Sequence, residues 1–352
     1  MFEYSRGLAA AHGWRYHAVM DLGAIRSEHS GPGTENLTRS LACVLRSAGA
    51  QPNDDDLNAA LGLPWMTVAV PREPCVARWP AYARDFKLVK AARLFGLRIR
   101  DLHPPDAATG LDRAPEYFQH FDASYRPLIQ RALEHGQAVL AWQGWPSPHE
   151  MDWGIVTATS ADGVGFRGVT PLGSLQGVTV MTPPIQMYVV EDITPVQPDS
   201  AAIVWIALEA ADQVLGDRLD PRLGVATGPA AYEVWAERIR GGGRCPYAGS
   251  CLPNCHGTLL KHLLHNRAVA HDFVQAHRSV LDAFAPGSAD ALLASAIPAM
   301  PHATREAFLS MISNLQSEEI RTRDLIAGIL LRFGRIPQMS LSAASASQRP
   351  SA

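Results

Sequence analysis

The stretch ENLTRSLACVLRSAG, residues 35–49, gives the first indication of the fold. Apolar side chains such as Leu37 and Leu41 recur at helical spacing, and Gly49 stands where helices commonly end. The pattern predicts a helix that begins near Asn36 and carries a cysteine late in its length. A cysteine on a helix that begins a domain can be a catalytic nucleophile. Whether Cys43 has this role depends on the rest of the chain.

The composition limits the classes of protein to which this chain belongs. It has 352 residues, of which 47% are hydrophobic and 18% are charged, and its formal net charge is −3. A chain without a dominant basic block does not favour nucleic acid or an anionic membrane as a partner. The length and the apolar fraction are typical of a globular protein with one large domain or two ordinary ones.

The apolar runs and the cysteines predict a cytoplasmic location. The first residues contain no unbroken apolar segment of the kind that signal peptides have, and no run of about 18 apolar residues predicts a membrane span. The five cysteines are an odd number in a long chain. Reduced thiols or metal ligands are therefore expected rather than a disulfide scaffold.

The first half of the chain predicts helices followed by an antiparallel sheet. After an acidic turn at 51–57, amphipathic patterns that end in glycine predict two more helices, over 83–96 and 123–136. Segments rich in valine, isoleucine and aromatic residues then predict strands. The strand segments are 65–70, 97–102, 137–145, 152–160, 163–169 and 185–193. This order predicts an α+β domain over residues 1–195.

The second half of the chain predicts an all-α domain. Residues 194–200 have the composition of a linker, and helical patterns cover most of the chain beyond them. The helical segments are 200–215, 229–240, 257–285, 287–296 and 302–333. We expect a helical domain over 196–335 and a disordered tail, rich in serine and alanine, over 336–352.

Three segments carry a resemblance to a known family. SLACVLRSAG (40–49) resembles the second half of a helix whose first residue is a nucleophilic cysteine. DWGIVTATSADGVGFRGVTP (152–171) has the layout of a histidine strand, an Asp-Gly turn, a second strand and a proline, and GQAVLAWQGW (136–145) resembles the strand before it. The chain therefore resembles the papain-like cysteine peptidases and acyltransferases, and more narrowly the double-glycine leader peptidases and the butirosin-type acyltransferases.

The resemblance implies a fold and a reaction. It covers residues 20–195 and extends more weakly over 196–335, where ALEAADQVLG and GPAAYEVWAERI resemble helices of the butirosin-type proteins. It implies a papain-like α+β domain followed by helices. It also implies acyl transfer or peptide hydrolysis by a cysteine, a histidine and an aspartate.

The three positions that would carry this triad hold other residues. The nucleophile position is Asn36, the histidine position is Asp152 and the acid position is Thr170. An asparagine amide cannot replace a thiolate, and an aspartate is a poor base at neutral pH. We expect Asp152 to hydrogen-bond Asn36 across the junction of helix and strand, which would keep the site polar while removing its thiol chemistry.

Two residues near these positions resemble catalytic groups. Cys43 lies about two turns beyond Asn36, where the helix dipole has faded, and its apolar neighbours predict a buried structural cysteine. His149 precedes the strand that begins at Asp152. As half of a catalytic pair it is a weak candidate, and we expect a histidine in a surface loop.

A second group of reactive residues lies in RCPYAGSCLPNCHG (244–257). Cysteine and histidine are the residues that zinc binds, and a Cys-x3-Cys spacing is within the usual range. The predicted ligands are Cys245, Cys251, Cys255 and His256, with His262 or His265 as a further candidate. An iron–sulfur cluster held by the three thiolates is the alternative cofactor. Without a metal, the segment is a loop of reduced cysteines or holds one disulfide and a spare thiol.

The sequence leaves three functions open. In the first, a papain-like fold with a degenerate or repurposed site binds a peptide, an acyl carrier or a small molecule without thiol catalysis. In the second, the chain is an active cysteine acyltransferase or amidohydrolase with a nucleophile elsewhere. In the third, it is a metal-binding or redox accessory protein that uses the Cys/His segment. The oligomeric state is not indicated by the sequence.

Overall fold

The computed structural model mixes helices with antiparallel sheet, which confirms the predicted α+β class. The residues that it describes are 36–69, 88–102, 121–147, 149, 152–170, 178–179, 184, 186–194, 196–216, 218–220, 225–242, 256–294 and 304–333. The predicted tail at 336–352 lies outside the described residues.

The strands form two antiparallel sheets. They are β1 (Val68–Ala69), β2 (Leu97–Asp101), β3 (Val139–Trp142), β4 (Trp153–Thr159), β5 (Phe166–Val169), β6 (Val178–Thr179), β7 (Gln186–Ile193), β8 (Arg218–Asp220) and β9 (Val225–Thr227). The larger sheet has the order β2-β7-β3-β4-β5-β6, and the smaller one has the order β1-β9-β8. Every pairing is antiparallel.

Helices pack on both faces of the larger sheet and make up most of the described second half. They are α1 (Asn36–Ser47), α2 (Asp54–Ala60), α3 (Leu88–Leu94), α4 (Arg126–Glu134), α5 (Ser200–Leu215), α6 (Pro229–Arg240), α7 (Gly257–Ala276), α8 (Arg278–Phe284), α9 (Ser288–Leu293) and α10 (Arg305–Phe333). Leu63–Trp65 forms a single 3-10 turn, and Phe121–Tyr125 a π turn. Among the described helices none is long and apolar enough to cross a membrane.

The two faces of the larger sheet bury different helices. Side chains alternate along a strand, so neighbouring residues point to opposite faces. On one face Ile155 belongs to the same buried cluster as Leu41 of α1. On the other face Val156 packs in a cluster with Ile129 of α4. The packing of α1 against β4 brings the beginning of the helix to the beginning of the strand.

The acidic segment predicted as a turn is the helix α2, so that prediction was wrong. The side chain of Asn53 accepts hydrogen bonds from the backbone N–H groups of Asp55 and Asp56 and caps the helix. Three aspartates in the first turn then stabilise the positive end of its dipole. The signals of a helix start were present in the sequence, but the helix is only seven residues long.

The second half of the chain contains strands as well as helices, which corrects the prediction that it is all-α. β8 and β9 are each three residues long, and β9 also pairs with β1 from the first half. Strands this short show no alternation in the sequence that would predict them. The segment predicted as one helix, 257–285, is divided in two, because α7 ends at Ala276 and α8 begins at Arg278.

One buried core contains residues from both predicted domains. Leu41 and Ile155 from the first half lie in the same cluster as Leu208, Phe273 and Ile326 from the second. Trp65 and Phe273 meet edge to face with their ring centroids 5.8 Å apart. The two halves thus share their largest buried cluster among the described residues. A domain boundary near residue 195 stays a prediction.

A buried polar cluster ties the β1 segment to three helices. Arg267 Nη2 donates to Glu319 Oε1 and to Thr67 Oγ1, both at 2.7 Å. Thr67 Oγ1 in turn donates to Glu319 Oε1 at 3.0 Å, and the Tyr232 hydroxyl lies 3.3 Å from Thr67 Oγ1. Burial, and after it the nearby Glu319 carboxylate, raises the pKa of Tyr232, which remains a neutral phenol.

Candidate functional site

Asn36 and Asp152 meet where α1 and β4 begin. Asn36 is the first residue of α1, and Asp152 immediately precedes β4. Asn36 Nδ2 donates a hydrogen bond to Asp152 Oδ1 at 2.5 Å, across 116 positions of sequence. The expected contact between these two residues is confirmed. An amide and a carboxylate therefore face each other at the two positions where the family resemblance would put a thiol and an imidazole.

His149 is the third member of this cluster, and the prediction of a surface-loop histidine was wrong. The residue is 7% exposed, and its Nδ1 lies 2.6 Å from Asp152 Oδ2. Two backbone hydrogen bonds fold the chain into this position, from His149 N–H to the Pro146 carbonyl and from Asp152 N–H to the His149 carbonyl. The three-residue spacing of a histidine and an aspartate before a strand was the signal in the sequence.

The shared carboxylate fixes where the protons lie. An ionised carboxylate only accepts hydrogen bonds, so the Asn36 amide must present its NH₂ group to Asp152. By the same reasoning His149 presents a protonated Nδ1, and the lone pair of the neutral ring is on Nε2. The order of groups is amide, carboxylate, imidazole, and the imidazole is the group furthest from the helix along this chain of hydrogen bonds.

Thr170 stands at the end of β5, the strand that pairs with β4. It directly follows Val169, the last residue of β5, which pairs with Ile155 of β4. This register places Thr170 next to the beginning of β4, on the side from which Asp152 enters the strand. Thr170 is 1% exposed, and its hydroxyl has no hydrogen-bond partner among the described residues. The position predicted for the triad acid thus holds a buried hydroxyl, and no contact described joins it to Asn36, Asp152 or His149.

Gly154 leaves room for the indole of Trp145 to pack against β4. A Cβ atom on Gly154 would lie 2.3 Å from the Trp145 ring, which is closer than packed atoms approach. The Trp145 Nε1–H donates to the Ala141 carbonyl at 3.3 Å and holds the ring in place. The glycine after Asp152-Trp153 is therefore required by packing rather than by chemistry.

Cys43 is buried, as predicted. It is 3% exposed and belongs to the core between α1 and the sheet. Seven residues of helix separate it from Asn36, which corresponds to about 10 Å along the axis. A substrate held at Asn36 and Asp152 cannot reach this thiol without unpacking the core.

The metal site predicted in the second half falls mostly outside the described residues. Cys245, Cys251 and Cys255 are not among them. His256 is described, and the Trp235 indole Nε1–H donates to its Nδ1 at 2.8 Å. Because an indole nitrogen only donates, this bond uses the lone pair of Nδ1 and leaves the ring proton on Nε2. The ring then offers no lone pair to a metal, which argues against His256 as a ligand.

His262 lies close to the same tryptophan. It lines a cavity of about 20 Å³, enough for roughly one water molecule, together with Trp235 and Thr67. Within the described ranges no group of three or more histidine, cysteine or acidic side chains could hold a metal ion. Zinc or an iron–sulfur cluster on the three cysteines stays a prediction.

The buried His256 ring is expected to make the fold sensitive to acid. Burial lowers the pKa of His256 from 6.5 to about 4. The unfolded chain takes up this proton near pH 6.5, whereas the folded chain resists it until about pH 4. The free energy of unfolding is therefore highest above pH 6.5 and decreases as the pH falls from 6.5 to about 4. The neutral His256 ring accounts for a decrease of about 3 kcal/mol at most.

The variant His256→Asn isolates this effect because an asparagine oxygen can still accept from Trp235. Urea unfolding at about pH 7 and about pH 4.5 should show that the wild type loses about 2 kcal/mol more than this variant between the two values. His265→Asn, on the exposed side of the same helix, is the control and should behave like the wild type. Equal losses in His256→Asn and the wild type would contradict the assignment.

No protein-family model matches the chain, and no curated protein matches it either. The papain-like resemblance therefore stays a prediction from the sequence.

Proposed function

We propose that this chain is a papain-like protein of the butirosin-type group whose acyl-transfer or peptidase site has been repurposed. In this proposal the site binds a peptide, an acylated carrier or a small molecule, in a biosynthetic or accessory role, and it does so without thiol catalysis. The binding site is the junction of α1 and β4, where Asn36 and Asp152 stand in place of the thiol and the imidazole.

The hydrogen bond between Asn36 and Asp152 carries this proposal. Its two ends are the residues that the family resemblance aligns with a catalytic cysteine and histidine, and its length of 2.5 Å shows that the side chains are in direct contact. Neither group can become a thiolate or supply an imidazole at that point. The layout of a papain-like site is thus compatible with this chain, and a cysteine enzyme would need a nucleophile at another position.

The groups at the junction suit a ligand with a carbonyl or amide head. The first N–H groups of α1 have no partner within the helix and can donate to a carbonyl oxygen. Asn36 retains its Oδ1 as an acceptor after its amide has donated to Asp152. Donors and acceptors side by side match the amide groups of a peptide or of an acylated carrier.

A thiol-directed probe separates this proposal from an active cysteine enzyme. Incubating the wild type with an acyl thioester or a peptide vinyl sulfone should leave Cys43 without stoichiometric labelling, because this cysteine is buried. Cys43→Ala should show the same labelling pattern and the same thermal unfolding profile to within a few degrees. Stoichiometric labelling of one cysteine, read by peptide mass spectrometry, would contradict the proposal.

A further inference from the structure

Gln143 has an unusual backbone conformation at the end of β3. Its φ is 66°, and among the described residues it is the only one other than glycine with a positive φ. A Cβ atom clashes with the backbone in this left-handed region, so glycine is the usual residue there and glutamine is uncommon. Gln143 is also 3% exposed. A costly conformation at a buried position persists where surrounding contacts require it, and such positions are concentrated at functional sites.

The register of the sheet places Gln143 opposite Asp152. Trp142, the last residue of β3, pairs with Trp153, the first residue of β4. The next residues along are Gln143 and Asp152, and the Gln143 N–H donates to the Asp152 carbonyl at 3.0 Å. Gly144 follows with a φ of 87°, so two left-handed residues in succession turn the chain at this point. The strained residue therefore contacts the residue at the centre of the candidate site.

Asp152 is held through both its backbone and its side chain. Its N–H donates to the His149 carbonyl at 3.0 Å, and its carbonyl accepts from Gln143. Its Oδ1 accepts from Asn36, and its Oδ2 lies 2.6 Å from His149 Nδ1. The two backbone bonds fix the point from which the carboxylate extends. Of the three residues that make these contacts, only Gln143 has a left-handed backbone.

We propose that Gln143 is a positioning residue for the junction of α1 and β4. Its left-handed backbone turns the chain after β3 so that His149 reaches Asp152, and its N–H anchors the Asp152 backbone. An extended residue at this position would instead continue the strand past Asp152. The role belongs to the backbone conformation, which a glycine preserves and a β-branched side chain opposes. The inference goes beyond the proposed function, because it concerns how the carboxylate is held rather than what the junction binds.

The variants Gln143→Gly and Gln143→Ala test whether the strained conformation is present in solution. Both remove the functional part of the side chain, so they differ mainly in the cost of a positive φ. In an extended strand glycine is less stable than alanine, because it loses more conformational entropy on folding. At a left-handed residue the order is reversed, and we expect Gln143→Gly to unfold about 2–4 °C above Gln143→Ala. An equal or lower unfolding temperature in Gln143→Gly would overturn the proposal.

The side-chain amide of Asn36 reports on the position of Asp152. In protein isotopically labelled at asparagine nitrogen, the variant Asn36→Ala identifies the NMR signal of this NH₂ group. Its bond to Asp152 should protect it from exchange with water in the wild type, and equally in Gln143→Gly. We expect Gln143→Val, whose branched side chain disfavours the left-handed region, to exchange this amide at least about tenfold faster. Gln143→Thr has a smaller branched side chain and takes its place if the valine variant does not fold.

Gly163→Val is the matched control. Gly163 has a φ of 72° in the exposed turn between β4 and β5, at the end of β4 opposite to Asp152. The variant puts the same side chain on a left-handed residue away from the junction. It should lower the unfolding temperature without changing the exchange of the Asn36 amide. The proposal would be overturned by wild-type exchange in a folded Gln143→Val, by faster exchange in Gln143→Gly, or by equal effects of the two valine variants on this amide.

Discussion

Replacing Glu319 by glutamine should destabilise the fold by about 3–5 kcal/mol. Glu319 is 4% exposed and accepts hydrogen bonds from Arg267 and Thr67. The glutamine would fill the same space but would leave the largely buried Arg267 guanidinium, whose side chain is 18% exposed, without its counter-charge. The penalty arises from that uncompensated charge rather than from lost packing.

The neighbouring residue provides the control. Glu318 pairs with Arg321 at the surface, and its side chain is 46% exposed. Solvent screens such pairs, so Glu318→Gln should cost less than about 0.5 kcal/mol. Both variants change one carboxylate to an amide in the same helix, and only burial distinguishes them.

Urea unfolding of the two variants measures the difference. A double variant, Glu319→Gln with Arg267→Met, should recover part of the loss, because an apolar side chain removes the buried charge that the single variant leaves. If Glu319→Gln and Glu318→Gln lost the same stability, the cluster would have to be regarded as solvated, contrary to its burial.

Most of the elements could be predicted from periodicity alone. Helix α5 spans Ser200–Leu215 and helix α6 spans Pro229–Arg240, as their apolar spacing indicates. Strands β4 and β7 lie within the segments predicted for them, 152–160 and 185–193. These elements are long enough for a period to repeat, and many of their apolar side chains are buried.

The errors concern short elements and turns. β8 and β9 are three residues each, so their formation depends on a partner strand and not on an internal pattern. α2 carries the asparagine cap and the aspartates typical of a helix start, but a run of aspartates is equally typical of a turn. In both cases the deciding contacts come from other parts of the chain.

The candidate site was predicted in part. The resemblance brought Asn36 and Asp152 together although 116 positions separate them, since it supplied the order in which helix and strands pack. It could not place His149, because the burial of this ring depends on a turn that folds it against Asp152. No pattern in the sequence predicted the buried cluster around Glu319, because its partner Thr67 is 252 positions away.

Restoring a thiol and an imidazole at the junction should restore a reactive thiolate. In the double variant Asn36→Cys with Asp152→His, the cysteine would begin α1 and the histidine would stand where Asp152 now contacts it. A helix N-terminus and an adjacent imidazole both lower the pKa of a thiol. We expect that pKa to fall from about 8.5 to about 6 or below.

The single variant Asn36→Cys is the matched control. Its cysteine has the same position, but the Asp152 carboxylate beside it disfavours the thiolate and holds the pKa of the thiol at or above about 8.5. At pH 6 the double variant should react with iodoacetamide about tenfold faster, because a much larger thiolate fraction outweighs the lower nucleophilicity of each thiolate. Thermal unfolding of both variants confirms that they are folded.

The pH dependence of iodoacetamide alkylation at position 36 tests the central claim, that this junction is a papain-like site without its thiol and imidazole. Peptide mass spectrometry follows this cysteine separately from the five native ones. The account predicts a midpoint at least about 2.5 pH units lower in the double variant than in Asn36→Cys. Equal midpoints in two folded variants would contradict it, because they would show that positions 36 and 152 cannot form the thiolate–imidazolium pair.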